Sequence, residues 1–152
     1  MQISNAGLQL IKRFEGCKLK PYLCPAGYWT VGYGHVIGNG KDKPEKQLYT
    51  QGEVDALLRS DLRRFERGVL RYCTVYLTQS QFDALVSFSF NLGLGVLQRS
   101  TLRQKILRKD GEGAAKELLR YDKVGGRPLK GLTRRRQAEY RLFTQIDPIT
   151  DI

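Results

Sequence analysis

The chain carries a single histidine, a single tryptophan and a single methionine, and it has no apolar run long enough to span a bilayer. One histidine rules out a multi-histidine zinc site. The three cysteines, Cys17, Cys24 and Cys73, lack zinc-ligand spacing, so neither a metal nor a cofactor is expected. An odd number of thiols also gives no disulfide framework, and reduced cysteines are the default. The start, Met1-Gln2-Ile3-Ser4-Asn5, is not a basic segment leading into an apolar one. No secretory signal is expected, and the product stays in the cytosol until something else releases it. Acids are scarce: 15 Asp and Glu face 26 Lys and Arg, for a formal charge of +11, and none lies between Gly16 and Lys41. The segment from Arg99 to Ile146 holds fourteen basic and five acidic residues. A field of that sign draws in polyanions, and charge does not choose among nucleic acid, teichoic acid, lipopolysaccharide and anionic membrane.

What is present fits one folded domain over residues 1–152, with 41% hydrophobic and 27% charged residues. Ser4 is a good N-cap, with Ile3 and Leu8 placed as a hydrophobic staple. Leu10, Ile11 and Phe14 then recur at helical spacing, which predicts a helix over 4–15 that stops at Gly16. From about 18 to 40, Pro21, Pro25 and five glycines punctuate short aromatic and β-branched stretches such as Tyr28-Trp29-Thr30-Val31, the pattern of a strand-and-turn region. Helical signals return from about 50 to 146. Thr50 and Glu53 form a capping box ahead of Val54, Leu57, Leu58, Leu62 and Phe65, and Thr78 and Gln81 repeat the device. Further helices are expected at Ser100–Leu107, Glu112–Leu119 and Thr133–Phe143, separated by Asp110-Gly111 and Gly125-Gly126. The fold class that follows is α+β: a small N-terminal β-containing lobe, a larger mainly helical C-terminal lobe, and a cleft between them.

Glu15 falls at the end of the first helix. A glutamate there is ordinarily a solvated surface residue, but the negative helix pole and the neighbouring Phe14 and Trp29 both favour its protonated form, which a general acid needs. Glycoside hydrolysis requires such an acid and a second group to handle water or attack the anomeric carbon. With no carboxylate up to Lys41, the reactive side chains nearest in sequence are Cys24 and Thr30, beside Tyr22, Tyr28 and Tyr33. Spacing alone does not identify a glycosidase.

The stretch Phe14-Glu15-Gly16-Cys17-Lys18-Leu19-Lys20-Pro21-Tyr22, followed by Gly27-Tyr28-Trp29-Thr30-Val31-Gly32-Tyr33-Gly34-His35, resembles the start of the phage lysozymes, glycoside hydrolase family 24. Leu77-Thr78-Gln79-Ser80-Gln81-Phe82-Asp83-Ala84-Leu85 and Ser87-Phe88-Ser89-Phe90-Asn91-Leu92-Gly93 are similar to its central helix. Gly125-Gly126-Arg127-Pro128-Leu129-Lys130-Gly131-Leu132-Thr133-Arg134-Arg135-Arg136 is similar to a C-terminal segment. That family carries a Glu, an Asp or sometimes a Cys, and a Thr, with eight and five residues intervening. The pattern here is Glu15, Cys24 and Thr30.

The resemblance implies a lysozyme that hydrolyses the β-1,4 bond between N-acetylmuramic acid and N-acetylglucosamine in bacterial peptidoglycan, acting as an endolysin that lyses the host for phage release. Glu15 would be the acid, and the Thr30 hydroxyl would place the attacking water or contact the sugar. Cys24 replaces the commoner Asp and would act as a base with a locally lowered pKa, as a nucleophile, or only as a placer of water. Arg135 would approach Glu15 across the cleft and hold its carboxyl group. Val36, Phe90 and Asn91 are the expected sugar contacts, Asn91 because an amide bonds an N-acetyl group in both directions. His35, with no acidic neighbour in sequence, is read as structural. The implied route is accumulation in the host cytoplasm, release through a holin lesion and action in the periplasm, by a monomer with no nucleic-acid role and some contact with the anionic envelope. A lytic transglycosylase and a non-catalytic basic module are the competing classes.

Overall fold

The computed structural model describes residues 1–145; the last position of the expected helical span, 146, lies outside the described residues. The chain divides into two compact units, one of Lys12–Arg63 and one of Met1–Ile11 with the chain from Arg64 onward. The expected α+β class is observed, with strands concentrated early and helices late.

In the unit Lys12–Arg63, the last turn of helix α1 (Asn5–Glu15) leads into three antiparallel strands, β1 (Lys18–Leu23), β2 (Trp29–Gly32) and β3 (His35–Gly38), in the order β1-β2-β3. The central strand puts Thr30 opposite Tyr22 on one side and Val36 on the other. Helix α2 (Gln51–Tyr72) starts from the expected box: the Glu53 N–H donates to Thr50 Oγ1 at 3.1 Å, and the Thr50 N–H donates to Glu53 Oε1 at 3.0 Å. Val31, Val54, Leu58 and Leu62 are buried and form the core that joins sheet to helix. Gly32, at φ +65°, is where they touch; a Cβ there would lie 2.8 Å from Val54 Cβ, so only glycine lets the strand approach.

The other unit is built on helix α3 (Gln79–Leu92), buried at every residue from Phe82 through Ser89. Such a helix needs neighbours all round. Helices α4 (Leu94–Arg99) and α7 (Lys130–Phe143) pack against it, and α5 (Thr101–Leu107) and α6 (Gly111–Leu118) pack against each other, α6 also touching α7. Thr78 and Gln81 cap α3 as expected, and Ser100 and Asp110 accept from the N–H groups of Arg103 and Gly113 to start α5 and α6. Two features depart from the sequence expectation. Gly125 and Gly126 are not a plain helix break. Both adopt positive φ, 57° and 81°, at the tip of a hairpin between β4 (Lys123–Val124) and β5 (Arg127–Pro128), the left-handed pair that a two-residue hairpin turn requires. Helix α7 begins at Lys130, three residues before the expected Thr133, because the Leu129 carbonyl accepts the Thr133 N–H in helical register without a side-chain cap. Among the described residues no helix is long and apolar enough to cross a membrane.

Candidate active site

Glu15 is the last residue of α1 and is half-buried. Gly16 takes φ +69° directly after it and donates to the Lys12 carbonyl, so the chain turns out of the helix and enters β1 two residues later.

Cys24 opens the tight turn between β1 and β2. Its N–H donates to the Tyr28 carbonyl at 2.9 Å and its carbonyl accepts from the Gly27 N–H at 2.8 Å, which closes the turn Cys24–Tyr28. The turn in this way aims its own N–H groups at the sulfur. A bond from the Tyr28 backbone is the main reason the Cys24 thiol lies below its ordinary value; partial desolvation opposes it, and the Ala26 N–H, the Thr30 hydroxyl and the Gly27 N–H pull the same way as Tyr28.

Thr30 sits in β2 with only 3% of its surface exposed. Its hydroxyl donates to the Tyr28 carbonyl at 2.9 Å, the oxygen that also receives the Cys24 N–H. Tyr28 therefore joins the two expected residues through its main chain. Sequence reasoning noted its side chain and missed its backbone; the available signal was Pro25-Ala26-Gly27, a turn tripeptide placed between the two. Val36 is exposed and lies across the ladder from Thr30, hence on the same face of the sheet. His35 does find an acid: its Nδ1 is 2.8 Å from Asp61 Oδ2 on α2, a partner 26 positions away that ties β3 to the helix.

The remaining expected residues lie in the helical unit. Phe90 is half-buried and packs edge-on against Phe65, ring centres 5.3 Å apart. The Asn91 amide oxygen accepts from Arg136 Nη2 at 2.7 Å. That bond fixes the orientation of the amide, whose oxygen keeps a second lone pair. Arg134 is exposed, whereas Arg135 and Arg136 are buried, not the solvated run that three successive arginines ordinarily form. Both pair with Glu139, at 3.4 Å and 2.7 Å, and Arg135 also donates to the Ser87 carbonyl at 3.2 Å.

Residues 12–139, a span that contains Glu15, Cys24 and Thr30, match the family described as phage lysozyme. The chain belongs to the phage lysozyme family. It is 44% identical to an endolysin of Bacillus phage B103 over 94% of its own length and 54% of that protein, and it spans about half the length of the Bacillus phage relatives it matches. It is 42% identical to an endolysin of Acyrthosiphon pisum secondary endosymbiont phage 1, covering 94% of this chain and 98% of that one. Among solved structures, the muramidase domain of SpmX from Asticaccaulis excentricus superposes with a TM-score of 0.84 at 36% identity, over 95% of this chain and 99% of that domain. Membership accounts for the α+β architecture.

Proposed function

We propose that this member of the family is a muramidase that hydrolyses the β-1,4 bond between N-acetylmuramic acid and N-acetylglucosamine in bacterial peptidoglycan, and that it serves as an endolysin. The observation that supports this most is the family match across the segment that holds Glu15, Cys24 and Thr30. In this reading Glu15 is the general acid and protonates the leaving glycosidic oxygen. Cys24, as thiolate, takes a proton from a water molecule whose oxygen attacks the anomeric carbon as the C–O bond to the leaving sugar breaks. Thr30 orients that water or steadies the thiolate, and Val36, exposed on the same face of the sheet, offers the sugar an apolar contact. Proton return from the Cys24 thiol to the Glu15 carboxylate through solvent restores the starting state. Displacement by water from the face opposite the leaving group inverts the anomeric centre. The working route is release from the host cytoplasm through a holin lesion, followed by action on the wall.

The test is clearance of outer-membrane-stripped Gram-negative cells by the wild type and by Glu15→Gln, with released muropeptides identified by mass spectrometry and their anomeric configuration read by NMR. Loss of clearance in Glu15→Gln, with reducing-end muramic acid of inverted configuration from the wild type, is expected. Anhydro-muramic products would make the chain a transglycosylase, a retained configuration would make Cys24 a nucleophile, and equal clearance by both proteins would remove Glu15 from the chemistry.

A further inference from the structure

Part of the positive charge that sequence places toward the C-terminus is paired within the fold. Arg135 and Arg136 are buried on Glu139, and Lys105, Lys116, Arg120 and Lys123 each pair with a nearby acid. A different element carries unneutralised charge. On α2, Arg64, Arg67 and Arg71 are exposed at positions i, i+3 and i+7, hence on one face and spread over about 10 Å of helix axis. Among the described residues none of the three takes part in a salt bridge. The acid within this stretch, Glu66, is turned inward and accepts the Ile3 N–H at 2.6 Å.

Between these arginines runs a groove of about 360 Å³ lined by Arg64, Arg67, Gly68, Arg71, Tyr72 and Leu94. Its floor is apolar and closed: a Cβ on Gly68 would overlap the Leu94 methyl groups, so helix and leucine already touch. Leu70 stands 39% exposed on the same stretch of helix. The aromatic rings are covered by cations. The Arg64 guanidinium lies 4.6 Å from the Phe65 ring centre, and those of Arg71 and Arg103 lie 5.9 and 5.2 Å from that of Tyr72.

We propose that this face of α2 docks on the phosphate headgroups of an anionic lipid surface. Guanidinium groups bind phosphate oxygens by paired N–H bonds, and three at helical spacing present three phosphate sites. An apolar floor and an exposed leucine beside them suit the boundary between headgroup and acyl chain. A nucleic acid is less well served, because single-strand binding uses open aromatic faces and both rings here are already covered. The inference is independent of the wall-cleaving chemistry.

The experiment is sedimentation with phosphatidylglycerol-containing vesicles and with phosphatidylcholine vesicles, for the wild type, for the triple variant Arg64→Gln/Arg67→Gln/Arg71→Gln, and for a charge-matched control, Arg108→Gln/Lys116→Gln/Arg127→Gln. Each arginine at an anionic surface strengthens binding about fivefold, so the α2 triple variant is expected to bind phosphatidylglycerol roughly hundredfold more weakly. The control should lose far less, and Leu70→Ser should weaken vesicle binding severalfold without changing capture of soluble polyglycerol phosphate. High salt should release the wild type from the vesicles, a readout that needs no variant to fold. Equal losses in both triple variants would reduce the effect to net charge and overturn the proposal. So would equal binding to phosphatidylcholine, or a preference for duplex DNA or polyglycerol phosphate over the vesicles. Clearance of purified sacculi by the α2 triple variant should match the wild type.

Discussion

Arg136 and Glu139, one turn apart on α7, form an ion pair in which neither side chain reaches solvent, Nε to Oε1 at 2.7 Å. The pair is heavily supported. Ser87 donates to Glu139 Oε2 at 2.6 Å, and Arg136 donates to the Asn91 amide oxygen and the Tyr121 carbonyl while its guanidinium faces the Phe88 ring. Burial pushes the Glu139 carboxyl up from the usual carboxylate range, against the pull of both neighbouring guanidiniums and the Ser87 hydroxyl. Removing one partner strands a charge in the core, so Arg136→Met should cost about 3 to 5 kcal/mol. Arg136→Met with Glu139→Leu should cost clearly less than the sum of the single changes, by at least about 1 kcal/mol in a urea double-mutant cycle. Simple additivity would mean the network is not coupled.

Thr30 has one hydroxyl proton and two acceptors, the Tyr28 carbonyl and the Cys24 sulfur. When the thiol is neutral the proton serves the carbonyl, and when it ionises the proton can turn to the thiolate. Thr30→Val removes that choice and one of the groups that hold the thiol below its ordinary value. The midpoint of Cys24 alkylation by iodoacetamide against pH, followed by peptide mass spectrometry, should therefore move upward in Thr30→Val. An unmoved midpoint would assign the whole effect to the turn's N–H groups.

What could be read in advance follows the range of the interaction. The caps at Thr50 and Thr78 and the stop at Gly16 are local, and the structure has each of them. Helix α4 is six residues long, preceded by Gly93 and with Gly95 as its second residue, too short for a periodic signal, and it went unread. The hairpin at Gly125-Gly126 has strands of two residues, below the length at which alternation shows. Partners distant in sequence were illegible for a different reason: nothing near His35 announces Asp61, nothing near Arg136 announces Asn91, and nothing near Glu139 announces Ser87. The same limit explains Cys24. Its residue type is visible, but the N–H groups that stabilise its thiolate exist only once the turn closes.

Cys73 contrasts with Cys24. It is almost fully buried, and desolvation pushes its thiol up to about 11 from 9.0, with Arg103 pulling slightly the other way. Between those values the unfolded chain loses the proton and the folded one keeps it, so stability falls as pH rises from about 9 to about 11. A shift of that size amounts to about 2 to 3 kcal/mol. Tyr33 and Tyr121, also raised first by burial, add to the slope. They are common to wild type and Cys73→Ala, so the difference between the two urea curves isolates the thiol. Cys73→Ala should be less stable at pH 7, from the lost sulfur packing, and should close most of that gap by pH 11. A gap that stays constant would mean the thiol ionises as readily folded as unfolded.

Gly7→Ala pits helix propensity against packing at one position. Alanine is favoured over glycine inside a helix by about 1 kcal/mol, which by itself predicts stabilisation of α1. The space is not there: an added Cβ would lie 2.6 Å from Ile3 Cγ1 and 2.8 Å from Asp83 Cβ. Neither neighbour can yield cheaply. Asp83 is buried and accepts the Ser4 N–H at 3.0 Å, the Ser4 hydroxyl and Gln79 Nε2 at 2.8 Å, so displacing it would uncap α1 from outside the helix. Overpacking of this kind costs about 1 to 3 kcal/mol before the lost bonds are counted, so packing outweighs propensity and Gly7→Ala should destabilise by about 2 kcal/mol. Gly52→Ala makes the same change on an exposed position of α2, where the nearest atom to an added Cβ is 4.0 Å away, and should stabilise by up to about 1 kcal/mol. Thermal unfolding of the two variants should shift in opposite directions. A stabilised Gly7→Ala would show that Asp83 can move without loss, and that the Ser4 cap does not depend on where it sits.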